Sequence, residues 1–152
     1  MRNSGNELKV LDILLVEDNP GDVRLTQEAL FFVNNMVRLH VVTDGLDALA
    51  FLRHEGSYQH SPRPDVILLD LVLPKMSGYE VLSQIKADDK LKSIPTVVLS
   101  SSQNEADVEK SYQLQANSYL SKPRGPETFE GLVRCINEYW LKRVKLPVAA
   151  SA

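Results

Sequence analysis

The 152-residue chain is short of several features that would mark it as a specialised class. It has one cysteine, Cys135, so no disulfide can close within it, and a lone thiol fits a reducing compartment. It has no basic excess: 17 Lys and Arg stand against 20 Asp and Glu, a formal charge of -3, which gives no overall field for holding nucleic acid. No apolar run approaches the length of a membrane span, and Met1–Glu7 is polar, without the apolar centre of a signal peptide. There is no internal repeat, and His40, His54 and His60 are scattered without metal-ligand spacing. What is present is ordinary globular composition, 43% hydrophobic and 24% charged, in a length that can bury one core. The expectation is a cytoplasmic chain with one domain over residues 1–152, its core at about 9–142 between short tails, with no membrane and no nucleic acid among its partners.

Apolar runs alternate with helical periodicity along the chain. Leu11 to Val16 reads as a buried strand ending on the acidic turn Glu17-Asp18-Asn19-Pro20-Gly21. A helix follows, with Asp22 expected to cap it and Val23, Thr26, Leu30 and Val33 on one face. Val37 to Thr43 is a second strand, broken by Asp44-Gly45 before a helix carrying Leu46, Leu49, Ala50 and Leu52. Arg53 to Pro64 is a polar surface loop. Asp65 to Asp70 is a third strand, in which four consecutive apolar residues, Val66 to Leu69, suggest burial on both faces. Gly78 opens a helix with Tyr79, Leu82, Ile85 and Lys86 on its stripe. Thr96 to Leu99 is a fourth strand ending on Ser100-Ser101-Ser102, of which Ser101 and Ser102 are expected to cap the next helix. That helix, Asn104 to Gln115, has few apolar positions and is expected to pack weakly. Asn117 to Ser121 is a short fifth strand, and Phe129, Leu132, Val133, Ile136 and Trp140 mark an amphipathic last helix that holds Cys135. Five strands alternating with five helices predict an α/β fold, a doubly wound parallel sheet with right-handed crossovers.

Four strand ends carry complementary chemistry. Glu17 and Asp18 follow the first strand, Asp70 the third, Ser100 the fourth and Lys122 the fifth, and parallel strands bring their ends to one edge. Alone, Asp70 could cap a loop, Glu17-Asp18 could be a turn pair and Lys122 a solvated charge. Together, if the first and third strands are neighbours, three carboxylates share one crevice and repel unless a cation sits among them. A hard divalent ion that accepts carboxylates, waters and phosphate oxygens is Mg²⁺. A lysine and a hydroxyl beside it would hold a phosphoryl group against an attacking carboxylate.

The motifs LLVEDNP, ILLDLVLPKMSG, VVLSSS and YLSKP, in that order, resemble those of bacterial two-component response-regulator receiver domains, the CheY-like family, over about Leu11 to Trp140. The resemblance implies a flavodoxin-like strand order 2-1-3-4-5. It also implies Asp70 as phosphoacceptor, and Mg²⁺ or Mn²⁺ held by Glu17, Asp18, Asp70 and the backbone carbonyl of Val72. Ser100 would be the hydroxyl that turns towards the phosphoryl group, Lys122 the lysine that pairs with it, and Tyr119 the aromatic switch. The Lys122-Pro123 bond would be cis. More narrowly, the Arg53–Pro64 segment and the ending Glu138-Tyr139-Trp140-Leu141 with Leu146-Pro147 are similar to the small regulators paired with cyanobacterial phytochromes. That likeness implies a light-sensing histidine kinase as donor and a homodimer formed through the fourth helix, fifth strand and fifth helix and the C-terminal end. The implied function is a stand-alone phosphoacceptor switch with slow self-dephosphorylation, not a turnover enzyme. Only a short tail follows Trp140, so no fused DNA-binding output is expected.

Two positions depart from the common pattern. Val72 stands two residues after Asp70, where many receivers carry a polar side chain able to orient a hydrolytic water, so a long-lived phosphoryl group is expected. Leu71 replaces a tryptophan that some receivers place beside the aspartate, leaving Trp140, expected far from the metal, to report on the last helix. Other functions fit less well. An aspartate-dependent phosphatase needs a second acid where Val72 stands, and a flavin domain needs a phosphate-cradling loop where Glu17 and Asp18 would repel the phosphate. A receiver-like module that has lost phosphorylation would not need the acids, Ser100 and Lys122 together.

Overall fold

The computed structural model describes residues 10–33 and 37–122, together with 131 and 134. Five strands, β1 (Leu11–Val16), β2 (Val37–Val42), β3 (Val66–Leu69), β4 (Thr96–Ser100) and β5 (Ser118–Ser121), alternate with helices α1 (Pro20–Val33), α2 (Gly45–Arg53), α3 (Gly78–Ala87) and α4 (Glu105–Gln113). The strands form one parallel sheet in the order β2-β1-β3-β4-β5. This is the doubly wound arrangement expected from the sequence. The expected last helix, with Cys135 and Trp140, and the Lys122-Pro123 bond lie outside the described residues, although Gly131 and Arg134 are helical.

Strand side chains alternate between two apolar layers. Leu14, Val16, Ile67, Leu69 and Val98 face α2 and α3, packing on Leu49, Leu52, Val81, Leu82 and Ile85. Ile13, Leu15, Val66, Leu68 and Val97 face the other way, onto Leu30 of α1. All four residues of β3 are buried. A strand covered on both sides cannot alternate polar with apolar residues, which is why its run is unbroken.

Local chemistry moves several helix boundaries from their expected places. Asn19, not Asp22, caps α1: the Asp22 N–H donates to Asn19 Oδ1 at 3.0 Å. Pro20 stands in the first helical position, where its fixed φ suits the helix and its missing N–H costs nothing, so the cap falls on the residue before it. Asp22 is thereby placed in the first turn. Similarly, Asn104 caps α4 by accepting from Ala106 N–H at 2.8 Å, whereas Ser101 is exposed. Ser102 instead accepts from Asn104 N–H at 3.2 Å and donates to Asp107 at 2.6 Å. The buried stripe of α2 is Ala48, Leu49, Phe51 and Leu52, and Leu46 is 51% exposed. Phe51 turns the helix this way, its ring lying 5.6 Å from those of both His40 and Tyr58. Within the polar Arg53–Pro64 segment a short turn, Gly56–Tyr58, is tied back by Ser61, whose single hydroxyl hydrogen is shared between Phe51 O and Tyr58 O, each 2.8 Å from Oγ. Helix α4 packs as weakly as expected, with Ser111 its one buried residue.

One glycine fixes how closely α3 approaches the phosphoacceptor strand. A Cβ on Gly78 would lie 2.2 Å from the Asp70 carbonyl oxygen and 2.6 Å from Leu71 Cα. Only glycine lets the first turn of α3 pack directly beneath Asp70.

Candidate functional site

The register of the sheet brings the strand ends together. Val16 pairs with Leu69, and Asp70 N–H donates to Val16 O at 3.0 Å, so Glu17 and Asp70 are side by side. Ser100 pairs with Ser121, and Lys122 N–H donates to Ser100 O at 2.8 Å. Asp18 is exposed, whereas Glu17 and Asp70 are buried. Each of Glu17, Asp18 and Asp70 offers a carboxylate oxygen, and these oxygens lie within 4.8 Å of one another. Three hard oxygen donors at that separation suit a divalent cation of the Mg²⁺ or Mn²⁺ type.

Lys122 enters the same crevice from β5. Its Nζ lies 2.5 Å from Glu17 Oε1, 3.0 Å from Asp22 Oδ2 and 3.1 Å from Asp70 Oδ2, and its side chain is 9% exposed. The second oxygens of Glu17 and Asp70 are also engaged: Asn19 N–H donates to Glu17 Oε2 at 3.2 Å and Val72 N–H to Asp70 Oδ1 at 3.3 Å. Burial pushes the Glu17 carboxyl up to about 7, with the Asp70 carboxylate adding to the rise and Lys122 opposing it. Burial works against the charge on Lys122, but its bonds to Glu17 and Asp22 and the neighbouring charges of Asp70 and Glu17 more than offset that, holding it above the ordinary lysine range. One ammonium is therefore set among more carboxylates than it can neutralise, and the crevice favours additional positive charge.

A second set of contacts leads from Ser100 to α4 and β5. Ser100 Oγ accepts from Ser102 N–H at 3.1 Å. The Tyr119 hydroxyl donates to Ser102 O at 2.8 Å, and Tyr119 N–H donates to the Tyr112 hydroxyl at 3.2 Å. Asp107 accepts from both Ser102 Oγ at 2.6 Å and Tyr79 OH at 2.5 Å. These bonds hold the Asp107 carboxyl below the usual carboxylate range. Ser102 is the hub, joining the site hydroxyl, Tyr119 and the first turn of α4.

The predicted site residues Glu17, Asp18, Asp70, Val72, Ser100 and Lys122 thus lie at or beside the carboxyl ends of β1, β3, β4 and β5, and Tyr119, inside β5, is joined to them through its hydroxyl bond to Ser102 O. Val72 is 77% exposed beside Asp70. Sequence reasoning missed Asp22, which was expected to serve only as a cap, and missed Tyr79 and Asp107. A signal for Asp22 was available in Asn19-Pro20: a cap there puts the residue three positions later in the first turn, above the strand ends.

Residues 13–134 match the response regulator receiver domain model. The chain is 48% identical over 149 residues to the response regulator Rcp1 of Synechocystis sp., covering 98% of this chain and 100% of that protein. It is 43% identical over 143 residues to a probable methanogenesis regulatory protein, FilR2, of Methanothrix harundinacea, covering 91% of each. Among solved structures it is similar to the Mn²⁺-bound form of Rcp1, with a TM-score of 0.85 over 91% of this chain and 99% of that one. It is also similar to the phosphorylated cyanobacterial phytochrome response regulator RcpA, with 47% identity and a TM-score of 0.88 over 91% and 99% of the two chains. With its sheet order, its strand-end constellation and these likenesses in agreement, the chain belongs to the response regulator receiver domain family.

Proposed function

We propose that Asp70 accepts a phosphoryl group from the phosphohistidine of a sensor kinase, and that the kinase is a phytochrome-type light sensor, as the likeness to RcpA suggests. One Asp70 oxygen attacks phosphorus, the P–N bond to the imidazole breaks, and the departing nitrogen pair stays with the histidine ring. The observation that carries this reading is the convergence of the Glu17, Asp18 and Asp70 oxygens within 4.8 Å, with Lys122 Nζ 3.1 Å from Asp70. Glu17, Asp18, Asp70 and the Val72 carbonyl would hold Mg²⁺ or Mn²⁺, which when bound offsets the negative charge that phosphoryl oxygens bring. Lys122 supplies a fixed positive charge in the same crevice, within hydrogen-bond reach of Asp70. A phosphatase reading lacks its second acid, since Val72 stands in that position.

Ser100 is the hydroxyl placed to turn towards the phosphoryl group. Doing so withdraws its oxygen from Ser102 N–H and loosens the hub that holds Tyr119 and α4. Because α4 buries so little, a small free-energy change suffices to shift its population, and the face of α4 and β5 is where partner affinity, including homodimer formation, would respond. The domain works as a cytoplasmic switch that holds its phosphoryl group for a time, not as a turnover enzyme.

Incubation with a small phosphodonor should give a phosphate-sized mass increase that needs a divalent cation and is lost in Asp70→Asn. No increase in the wild type, or an equal one in Asp70→Asn, would remove the reading. The apolar, exposed Val72 cannot orient a water, so Val72→Asn should shorten the phosphoryl half-life several-fold, measured by loss of label; a longer half-life in the variant would contradict this role.

A further inference from the structure

We infer that Asp22 is a positioning residue for Lys122, keeping its ammonium beside Asp70 once a divalent cation has claimed Glu17 and Asp70. This rests on the proposed reading of the crevice. Lys122 has three N–H donors and three carboxylate partners, Glu17 at 2.5 Å, Asp22 at 3.0 Å and Asp70 at 3.1 Å. Two of those three belong to the carboxylate set whose oxygens converge within 4.8 Å, and Asp22 does not. A cation drawing on Glu17 and Asp70 competes with Lys122 for both. Asp22 is then the one partner left with undivided negative charge, and it approaches from a different element, the first turn of α1.

The geometry makes Asp22 an anchor. Its side chain is 27% exposed and its backbone is fixed, the Asp22 N–H by Asn19 Oδ1 at 3.0 Å and the Asp22 carbonyl by the Thr26 hydroxyl at 2.8 Å. Lys122 is a long side chain with several rotatable bonds, and a lysine without a partner would spread over many rotamers. Asp22 holds the tip where a phosphoryl group on Asp70 needs a positive charge, and draws it away from oxygens the cation needs. A plainer role exists for an acid in the first turn of a helix, the favourable interaction with the positive end of the helix dipole. That role does not involve Lys122, so the two can be separated.

A double-mutant cycle of wild type, Asp22→Asn, Lys122→Gln and the double variant tests this, with folding checked by circular dichroism. In chelator, Asp22→Asn should lower the urea midpoint when Lys122 is present. It should lower the midpoint less in the Lys122→Gln background, where the helix-start interaction remains and the ammonium is gone. By calorimetry, Asp22→Asn should weaken Mn²⁺ binding more in the presence of Lys122 than in its absence, by a factor of at least about two. Phosphorylation by a small donor at saturating Mn²⁺ should slow by a similar factor only when Lys122 is present. Equal effects of Asp22→Asn in both backgrounds would overturn the inference and leave Asp22 as a helix-start charge. Coupling in chelator, with no phosphate taken up by wild-type Asp70, would support the Asp22–Lys122 pairing while overturning the phosphoacceptor reading itself.

Discussion

At the amino-terminal edge of the sheet, Asp12 of β1 meets Arg38 at 3.0 Å and His40 at 2.8 Å, both from the adjacent β2. At the carboxyl edge, Glu17, Asp22 and Asp70 share Lys122. Asp12 and Glu17 stand five residues apart on the same stretch of chain, and both are less than a tenth exposed. Their titration goes opposite ways. Burial by itself would raise Asp12, but the hydrogen bonds from Arg38 and His40 more than offset it and hold the carboxyl below its ordinary value. Burial of Glu17, with the Asp70 carboxylate beside it, outweighs the pull of Lys122, and its carboxyl rises to about 7. The difference teaches where stability and function part: a balanced carboxylate strengthens the fold, and an unbalanced cluster leaves room for a ligand of opposite charge.

The contrast should break most visibly on adding cation. At a hundred times its dissociation constant, Mg²⁺ or Mn²⁺ should stabilise the wild type by about 2.7 kcal/mol through binding the folded state alone. Urea unfolding with and without chelator checks this. Asp18→Asn, at an exposed position, should lose most of that gain while changing metal-free stability little.

Next in size is the effect of removing the unbalanced charge. A group whose folded value is raised, as Glu17 is, contributes stability that is present below its ordinary value near 4.5 and lost as pH rises through about 7. In chelator at pH 8, Glu17→Gln should therefore be more stable than the wild type by roughly 1–3 kcal/mol, with the gap closing towards pH 4.5. A gap that widened on acidification would mean that Lys122 satisfies Glu17 after all.

The smallest effect is expected at the balanced edge. Asp12→Asn removes a charge whose partner Arg38 has a side chain 63% exposed, so solvent screening limits the loss to about 1 kcal/mol. For Asp12 the sign with pH is reversed: its lowered folded value gives stability present above pH about 3.8 and lost as pH falls through the folded value. The difference between wild type and Asp12→Asn should shrink on acidification, and cation should not alter it.

By itself the sequence determined where the strands stop and what stands there. An apolar run such as Val66–Leu69 can be buried on both faces in a covered parallel sheet, so the polar residue after it lies at the sheet's edge, and Glu17, Asp70 and Ser100 were legible on that ground, with Lys122 legible as the residue that follows the short β5. Shared strand direction then placed them on the same edge without any knowledge of side-chain contacts. The sequence could not show which helix residues reach into the crevice or which side of α2 is buried. Asp22 joins Lys122 across 100 positions of chain because Asn19 and Pro20 set the start of α1, and Leu46 faces solvent because Phe51 is drawn between His40 and Tyr58. Periodicity gives a helix its face to within a residue or two, but rotation about the axis is settled by packing. Only the tertiary structure, by bringing α1 over the ends of β1, β3 and β5, decided that one lysine would answer three carboxylates.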